Sequence, residues 1–427
     1  MAFTLKRNEL IDEGYYYTKH KSGLRVYVVP KNMSTAFAVF GTKFGSIDNR
    51  FVVDGKEMVL PDGIAHFLEH KMFENEDGTD TFAKYAKTGA NANAYTTFER
   101  TCYLFSATEK VYESLEILLD FVTHPYFTEE TVKKEQGIIG QEIRMYDDNP
   151  GWQLYFGMLT GLYKNNTVNI DTAGTVETIA EITPELLTDA YNAFYNLENM
   201  ALCVCGNVTC EEVEKVCDKV LEYVKAPDIK RIYPDEPKEI NKEFVSKRLE
   251  VSMPMFSVGI KDNEVPMTGK ALAKKQVEYD ILLDIMFGKS SSFFTQLYEE
   301  NLIDSSFSYG YEASETFGHC EFSGASDKPQ EVYARIKKEI SEYKKNGIDK
   351  EIFERIKRAN YASTLRAFNS TEDIANDFLV HIFSEFDMLE YPGVILEVTY
   401  EDVCKRLIEC FGENSFVLST ILPIEKK

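Results

Sequence analysis

The sequence predicts an α+β protein of two homologous repeats, each an antiparallel sheet with helices packed on one face. Three observations carry that expectation. With 427 residues, the chain is longer than one hydrophobic core usually organises. Its apolar residues alternate with period two in some stretches and recur at helical spacing in others. The order strand, turn, helix, short break, helix occurs twice, once from Cys102 and once from Cys320, with the two cysteines in register.

The elements follow in order. GLRVYVVPKN is an alternating strand closed by Pro30, and STAFAVFGTKFGS reads as the strand after it. From Ile64 the pattern turns helical. Residues 101–109, TCYLFSATE, return to strand, and residues 111–122 carry the i, i+3, i+4 spacing of an amphipathic helix that His124-Pro125 ends. The next helix starts on Thr128 as N-cap, holds Glu129 and Glu130 in its first turn and stops before Pro150. Cys203 and Cys205 in ALCVCGNV share one face of a strand. Residues 226–243 are polar, proline-bearing and without period, so they are the expected linker between a first repeat over 1–225 and a second over 244–427.

Composition narrows the function. Hydrophobic residues at 44% and aromatics at 13% describe an ordinary globular protein, not a disordered or fibrous one. A formal charge of -23, dispersed along the chain, disfavours nucleic acid and anionic membrane surfaces as partners. No apolar stretch approaches bilayer-spanning length. The N-terminus has neither an apolar h-region nor a small-residue cleavage site, so a cytoplasmic location is expected. The eight cysteines lack zinc-ribbon or disulfide-framework spacing and read as buried free thiols in a reducing compartment.

The chemistry concentrates in HFLEH, residues 66–70. Of only six histidines, two lie four apart, which on a helix directs both imidazoles from one face. Ile64, Ala65, Phe67, Leu68, Met72 and Phe73 make the segment apolar, and burying two histidines and a glutamate there is costly unless they are paired or bind metal. A catalytic zinc takes three protein ligands and leaves its fourth position to water, so His66 and His70 require a third ligand elsewhere. Glu69 adjoins His70, where its carboxylate reaches the water and not the metal. In the helix from Thr128, Glu135 and Glu142 fall on or beside the apolar stripe of Val132, Ile139, Ile143 and Tyr146. Two carboxylates on a core-facing stripe point to a role at the metal.

HFLEH resembles the inverted zinc motif H-x-x-E-H of the inverzincins. Together with KEQGIIGQEIRMYDDNP, NANAYTTFERTCYLFSAT, AGTVETIAEIT and YNLENMALCVCGNV, it resembles the pitrilysin-type metallopeptidases, which include insulin-degrading enzyme and the mitochondrial processing peptidase. Within them it is similar to a bacterial branch of half-length, two-repeat chains. The resemblance implies a clamshell of the two repeats and a zinc cofactor held by His66, His70 and Glu142. Glu69 is then the general base toward a zinc-activated water, and Glu135 the second acid that supports the site. Peptides or unfolded segments are the implied substrates, added as a β-strand along residues 91–96. Asn91, Asn93, Ala94 and Thr96 are the implied binding positions, with Asn93 and Ala94 aligning the scissile segment.

The second repeat departs from the family pattern. It reads ILLDIMFGKSS, without histidine, where the first carries HFLEH. Tyr298 and Ser305 stand where an arginine and, seven residues later, a tyrosine usually hold the substrate carbonyl region, and neither Tyr309 nor Tyr311 keeps that spacing. The departure implies an alternative in which the chain works only as a heterodimer, with a homologous partner chain supplying that arginine and tyrosine. A homodimer and a non-catalytic scaffold or binding subunit are the remaining alternatives.

Overall fold

In the computed structural model, which describes residues 3–425, seven strands build the larger sheet. Their order is Thr4–Asn8, Glu13–Lys19, Arg25–Pro30, Met200–Gly206, Ala36–Thr42, Thr101–Ala107 and Asn91–Thr96. All neighbours run antiparallel except Arg25–Pro30 with Met200–Gly206. A second sheet of five strands has the order Phe244–Leu249, Phe416–Pro423, Met255–Lys261, Gly318–Ala325 and Ser308–Ala313, with the first pair parallel. Both are thus α+β assemblies on mainly antiparallel sheets. The repeat is visible in the pairing: Tyr95 lies opposite Cys102 in one sheet and Tyr311 opposite Cys320 in the other.

Both faces of the seven-stranded sheet are covered. Ala38, Phe40, Tyr103, Phe105, Leu202 and Val204 pack into one core with the helices Ile64–Lys71 and Val111–Thr123. Alternate residues, among them Val39, Cys102, Cys203 and Cys205, meet Ile374, Ala375, Phe378 and Leu379 on the other face. Those last four belong to the helix Thr371–Phe383. This double burial explains why AFAVFGT is apolar without alternation.

The expected contiguous ranges, 1–225 and 244–427, differ from the compact units for the same reason. One unit runs to Ile143 and includes Asp171–Tyr233 and Leu365–Leu389; the other comprises Arg144–Ile170, Pro234–Thr364 and the chain from Glu390. Each repeat therefore lends a helix to the other. The helix Pro150–Leu162 buries Met158, Leu159 and Leu162 and packs on the strands Met255–Lys261 and Phe416–Pro423 of the second unit. The stretch 226–243 also departs from a free linker: Ile229–Arg231 is a strand paired with Arg50–Val53. No helix among the described residues is long and apolar enough to cross a membrane.

Candidate metal centre

The helix Ile64–Lys71 turns Ile64, Ala65, Phe67 and Leu68 into the core. That leaves His66 and His70 on a common face, their rings 4.6 Å apart. The facing helix, Glu129–Asp147, starts as its sequence predicts, with the Thr128 hydroxyl accepting from the Thr131 N–H at 3.3 Å. It buries Val132 and Ile139 and so carries Glu135 and Glu142 inward with them.

Three ligand atoms converge between these helices. Glu142 Oε2 lies 3.5 Å from His70 Nε2 and 3.8 Å from His66 Nε2. Two atoms each about 2.0–2.1 Å from a tetrahedral zinc are about 3.3–3.4 Å apart, so the set fits the ion with a small contraction. Two imidazole nitrogens and one carboxylate oxygen are also the donors that zinc takes in open sites. Among the described residues, no other three His, Cys, Asp or Glu side chains bring ligand atoms this close together.

The electrostatics suit the two imidazoles to different duties. Burial, with His70 alongside, pushes the His66 pKa down to about 3, so this ring stays neutral. Its Nδ1 is buried without a hydrogen-bond partner, which leaves Nε2 as the nitrogen that meets the other donors. Burial also pulls His70 down, but the hydrogen bond to Glu135 and the charges of Glu69, Glu142 and Glu135 outweigh it, and the net direction is up. His70 Nδ1 donates to Glu135 Oε1 at 3.0 Å, which fixes the ring and aims Nε2 at Glu142. Glu135 thus orients His70 without joining the three converging groups, and if these hold zinc Glu135→Gln is expected to weaken its binding by about 10–100-fold, read by competition with a chelating dye.

The His66 shift also sets a pH dependence for the metal-free chain. The unfolded chain takes up a proton below the ordinary value of 6.5, whereas the folded one refuses it until about 3. Stability is therefore lost as pH falls through that window. His70, shifted upward, acts in the opposite sense, contributing stability at low pH that is lost as pH rises through its folded value. His66→Gln should therefore remove one acid-sensitive contribution, so that between pH 6.5 and about 4 the melting temperature of the metal-free variant falls less, or rises more, than that of the wild type.

Glu69 is buried, and burial raises its pKa despite the hydrogen bond from Thr96. The Thr96 hydroxyl donates to Glu69 Oε2 at 2.6 Å. The family resemblance places Thr96 among the substrate-binding positions, and its hydroxyl also holds the glutamate. Strand alternation is the available signal, because Ala92, Ala94 and Thr96 share the face opposite to Asn91, Asn93 and Tyr95.

Among the described residues, the strand Asn91–Thr96 lies at the sheet edge and pairs only with Thr101–Ala107. Asn91 and Asn93 are exposed, Ala94 is half-buried, and the Asn93 side chain accepts from the Ala94 N–H at 2.9 Å. In the second unit, Tyr298 on the helix Ser292–Glu299 is 52% exposed. The Tyr309 and Tyr311 hydroxyls are each engaged by a carboxylate, Asp284 and Asp262, both at 2.6 Å.

Two α+β repeats, with an H-x-x-E-H helix in the first and none in the second, define a half-length protein of the pitrilysin type. Residues 57–176 match the family described as Insulinase (Peptidase family M16), and residues 181–360 match Peptidase M16 inactive domain. The uncharacterized zinc protease YmfH of Bacillus subtilis is 42% identical over 424 residues, covering 97% of this chain and 98% of that one. An M16-like peptidase of Alicyclobacillus acidocaldarius superposes with a TM-score of 0.93 at 33% identity, covering 99% of each chain. A chain of complex III2 from Candida albicans shares the fold alone, at TM-score 0.73 and 12% identity, over 95% of each chain. The chain belongs to peptidase family M16.

Proposed function

We propose that the protein is a zinc-dependent endopeptidase acting on peptides or unfolded segments. The observation that carries this is the convergence of His66, His70 and Glu142 beside a buried carboxylate, Glu69, that is not one of the three. Relatives named zinc proteases support the choice of ion. Held by those three side chains, zinc would supply a Lewis acid that acidifies a water molecule and offsets charge at the attacked carbonyl.

The remaining work falls to the chain's own groups. Glu69 accepts the proton from the water and returns it to the leaving amine. Thr96 occupies its Oε2, so Oε1 is the oxygen left for that proton. Burial, by raising the Glu69 pKa, makes it a better base than an exposed glutamate. Glu135 keeps the His70 ring oriented. The open side of the edge strand offers backbone groups to an extended peptide, a mode that reads main chain more than side chains. Asn91, Asn93 and Ala94 lie along that strand, and a reducing compartment such as the cytoplasm suits eight free cysteines. The test is cleavage of a mixed quenched-peptide library by the zinc-loaded chain, with Glu69→Gln as control. Equal cleavage by both would remove the reading.

A second reading is motivated by Tyr298 and Ser305, which occupy the positions matched to the family's arginine and tyrosine. On that reading the chain is the zinc-bearing half of a heterodimer. A zinc-loaded chain that is silent alone and cleaves when mixed with a homologous chain bearing the pair would establish it; no gain on mixing would count against it.

A further inference from the structure

We propose that Asp48 is a positioning residue for this reaction, locking the loop that sets both the Glu69 helix and the Thr96 strand; the proposal rests on the peptidase reading. The loop, residues 44–49, touches both elements. On one side it clasps the hairpin that follows the edge strand. Ser46 N–H donates to the Thr97 carbonyl and Ile47 N–H to that of Phe98, both at 3.1 Å, and the Thr101 hydroxyl donates to the Phe44 carbonyl at 2.9 Å. The approach is close enough that a Cβ on Gly45 would lie 2.3 Å from the Phe98 carbonyl oxygen and the Glu99 nitrogen. On the other side, the Asn49 carbonyl accepts from Leu60 N–H at 2.7 Å, and its side chain donates to Asp62 at 2.6 Å, two residues before the helix Ile64–Lys71.

Asp48 holds this loop in place. It is 1% exposed, and its two oxygens collect three donors. Oδ2 accepts from the Gly45 N–H at 2.9 Å; Oδ1 accepts from Arg231 Nε and from the Tyr233 hydroxyl, each at 2.9 Å. Arg231 also donates to the Lys43 carbonyl and lies over the Phe194 ring at 5.2 Å. Both partners come from the stretch that the sequence marks as linker, and both belong to the first unit. A buried ion pair is a poor source of net stability compared with apolar packing, and its best-attested use in proteins is to fix the register of what it joins, the role proposed for Asp48. Here it ties the loop to Arg231 and Tyr233, and the loop in turn touches the two elements that meet in the 2.6 Å contact between Thr96 and Glu69.

Asp48→Asn keeps the volume but cannot accept on both sides, so it frees either the Gly45 N–H or the Arg231 and Tyr233 donors. With zinc content unchanged, kcat/KM should fall by about tenfold, the scale of a lost orienting contact. The decisive reading is a double-mutant cycle with Thr96→Val. If Asp48 acts through Thr96, adding Asp48→Asn to Thr96→Val should cost less than about twofold, whereas independent effects multiply. In parallel, amide hydrogen exchange over residues 91–101 should quicken in Asp48→Asn, with the five-stranded sheet unchanged. Multiplying effects, or unchanged exchange over 91–101, would overturn the proposal. If Asp48→Asn does not fold, Tyr233→Phe removes one donor and should move both readouts less, in the same direction. A zinc-loaded wild type silent toward peptides both alone and with a homologous chain bearing the arginine and tyrosine would tell against the peptidase reading, and the exchange measurement would then decide the positioning of the loop by itself.

Discussion

Glu69→Gln is expected to abolish peptide cleavage while leaving zinc bound. The substitution preserves volume, and the carbonyl oxygen of the introduced amide can still accept from the Thr96 hydroxyl, which in the wild type donates at 2.6 Å. What disappears is the basic oxygen that the proposed mechanism requires. Loss of a positioned general base costs about 10²–10⁴-fold in rate. The three ligand side chains are untouched, so metal content should match the wild type. Zinc analysis and cleavage of one quenched peptide, run on the same preparation, separate the outcomes. A variant that lost both zinc and activity would make Glu69 a ligand, and one that kept wild-type activity would place the base elsewhere. Glu142→Gln provides the contrast: there zinc and activity should be lost together.

How much of this could be read beforehand depends on how local each contact is. His66, Glu69 and His70 sit within one helical turn, so spacing alone puts two imidazoles on one face. Glu135 and Glu142 are legible because they interrupt an apolar stripe, and the resemblance assigns them different roles; the structure adds that Glu135 meets His70 Nδ1 while Glu142 lies nearest His70 Nε2. The Thr96–Glu69 contact joins residues 27 apart, and the Asp48 contacts with Arg231 and Tyr233 span 183 and 185 residues. Neither distance leaves a periodic trace in the sequence. The same limit applies to Thr371–Phe383: its apolar face is evident, but which sheet receives it is a property of topology. The fully apolar AFAVFGT strand holds the clue that some helix has to cover its second face.

The backbone between the helix of His66 and His70 and that of Glu142 gives the other large effect, expected for Gly174→Ala. Gly174 has φ +74°, a conformation that residues with a Cβ adopt at a cost, and its Cβ would lie 2.4 Å from the Asp62 carbonyl oxygen and 2.8 Å from the Thr178 hydroxyl. Neither neighbour can yield cheaply. Asp62 stands at the entry to the helix Ile64–Lys71, and Thr178 completes the capping box with Thr175 that starts the helix Val176–Ala180. Backbone strain of about 1–3 kcal/mol and overpacking of about 1–3 kcal/mol together predict a loss of about 2–6 kcal/mol, a large share of the stability of an ordinary domain. The damage should reach the metal centre as well, because the same segment is tied to the other helix. The Gln136 side chain donates to the Ile182 carbonyl at 3.1 Å, and a Cβ on Gly140 would lie 4.0 Å from Ile179 Cδ1. Gly174 thus sits where the spacing between the His66/His70 helix and the Glu142 helix is set. Urea unfolding should show the lost stability, and the folded fraction of Gly174→Ala should hold zinc more weakly than the wild type. A stability change within about 0.5 kcal/mol, the range of neutral surface substitutions, with unaltered zinc affinity would show that the backbone at Asp62 gives way without disturbing the helices.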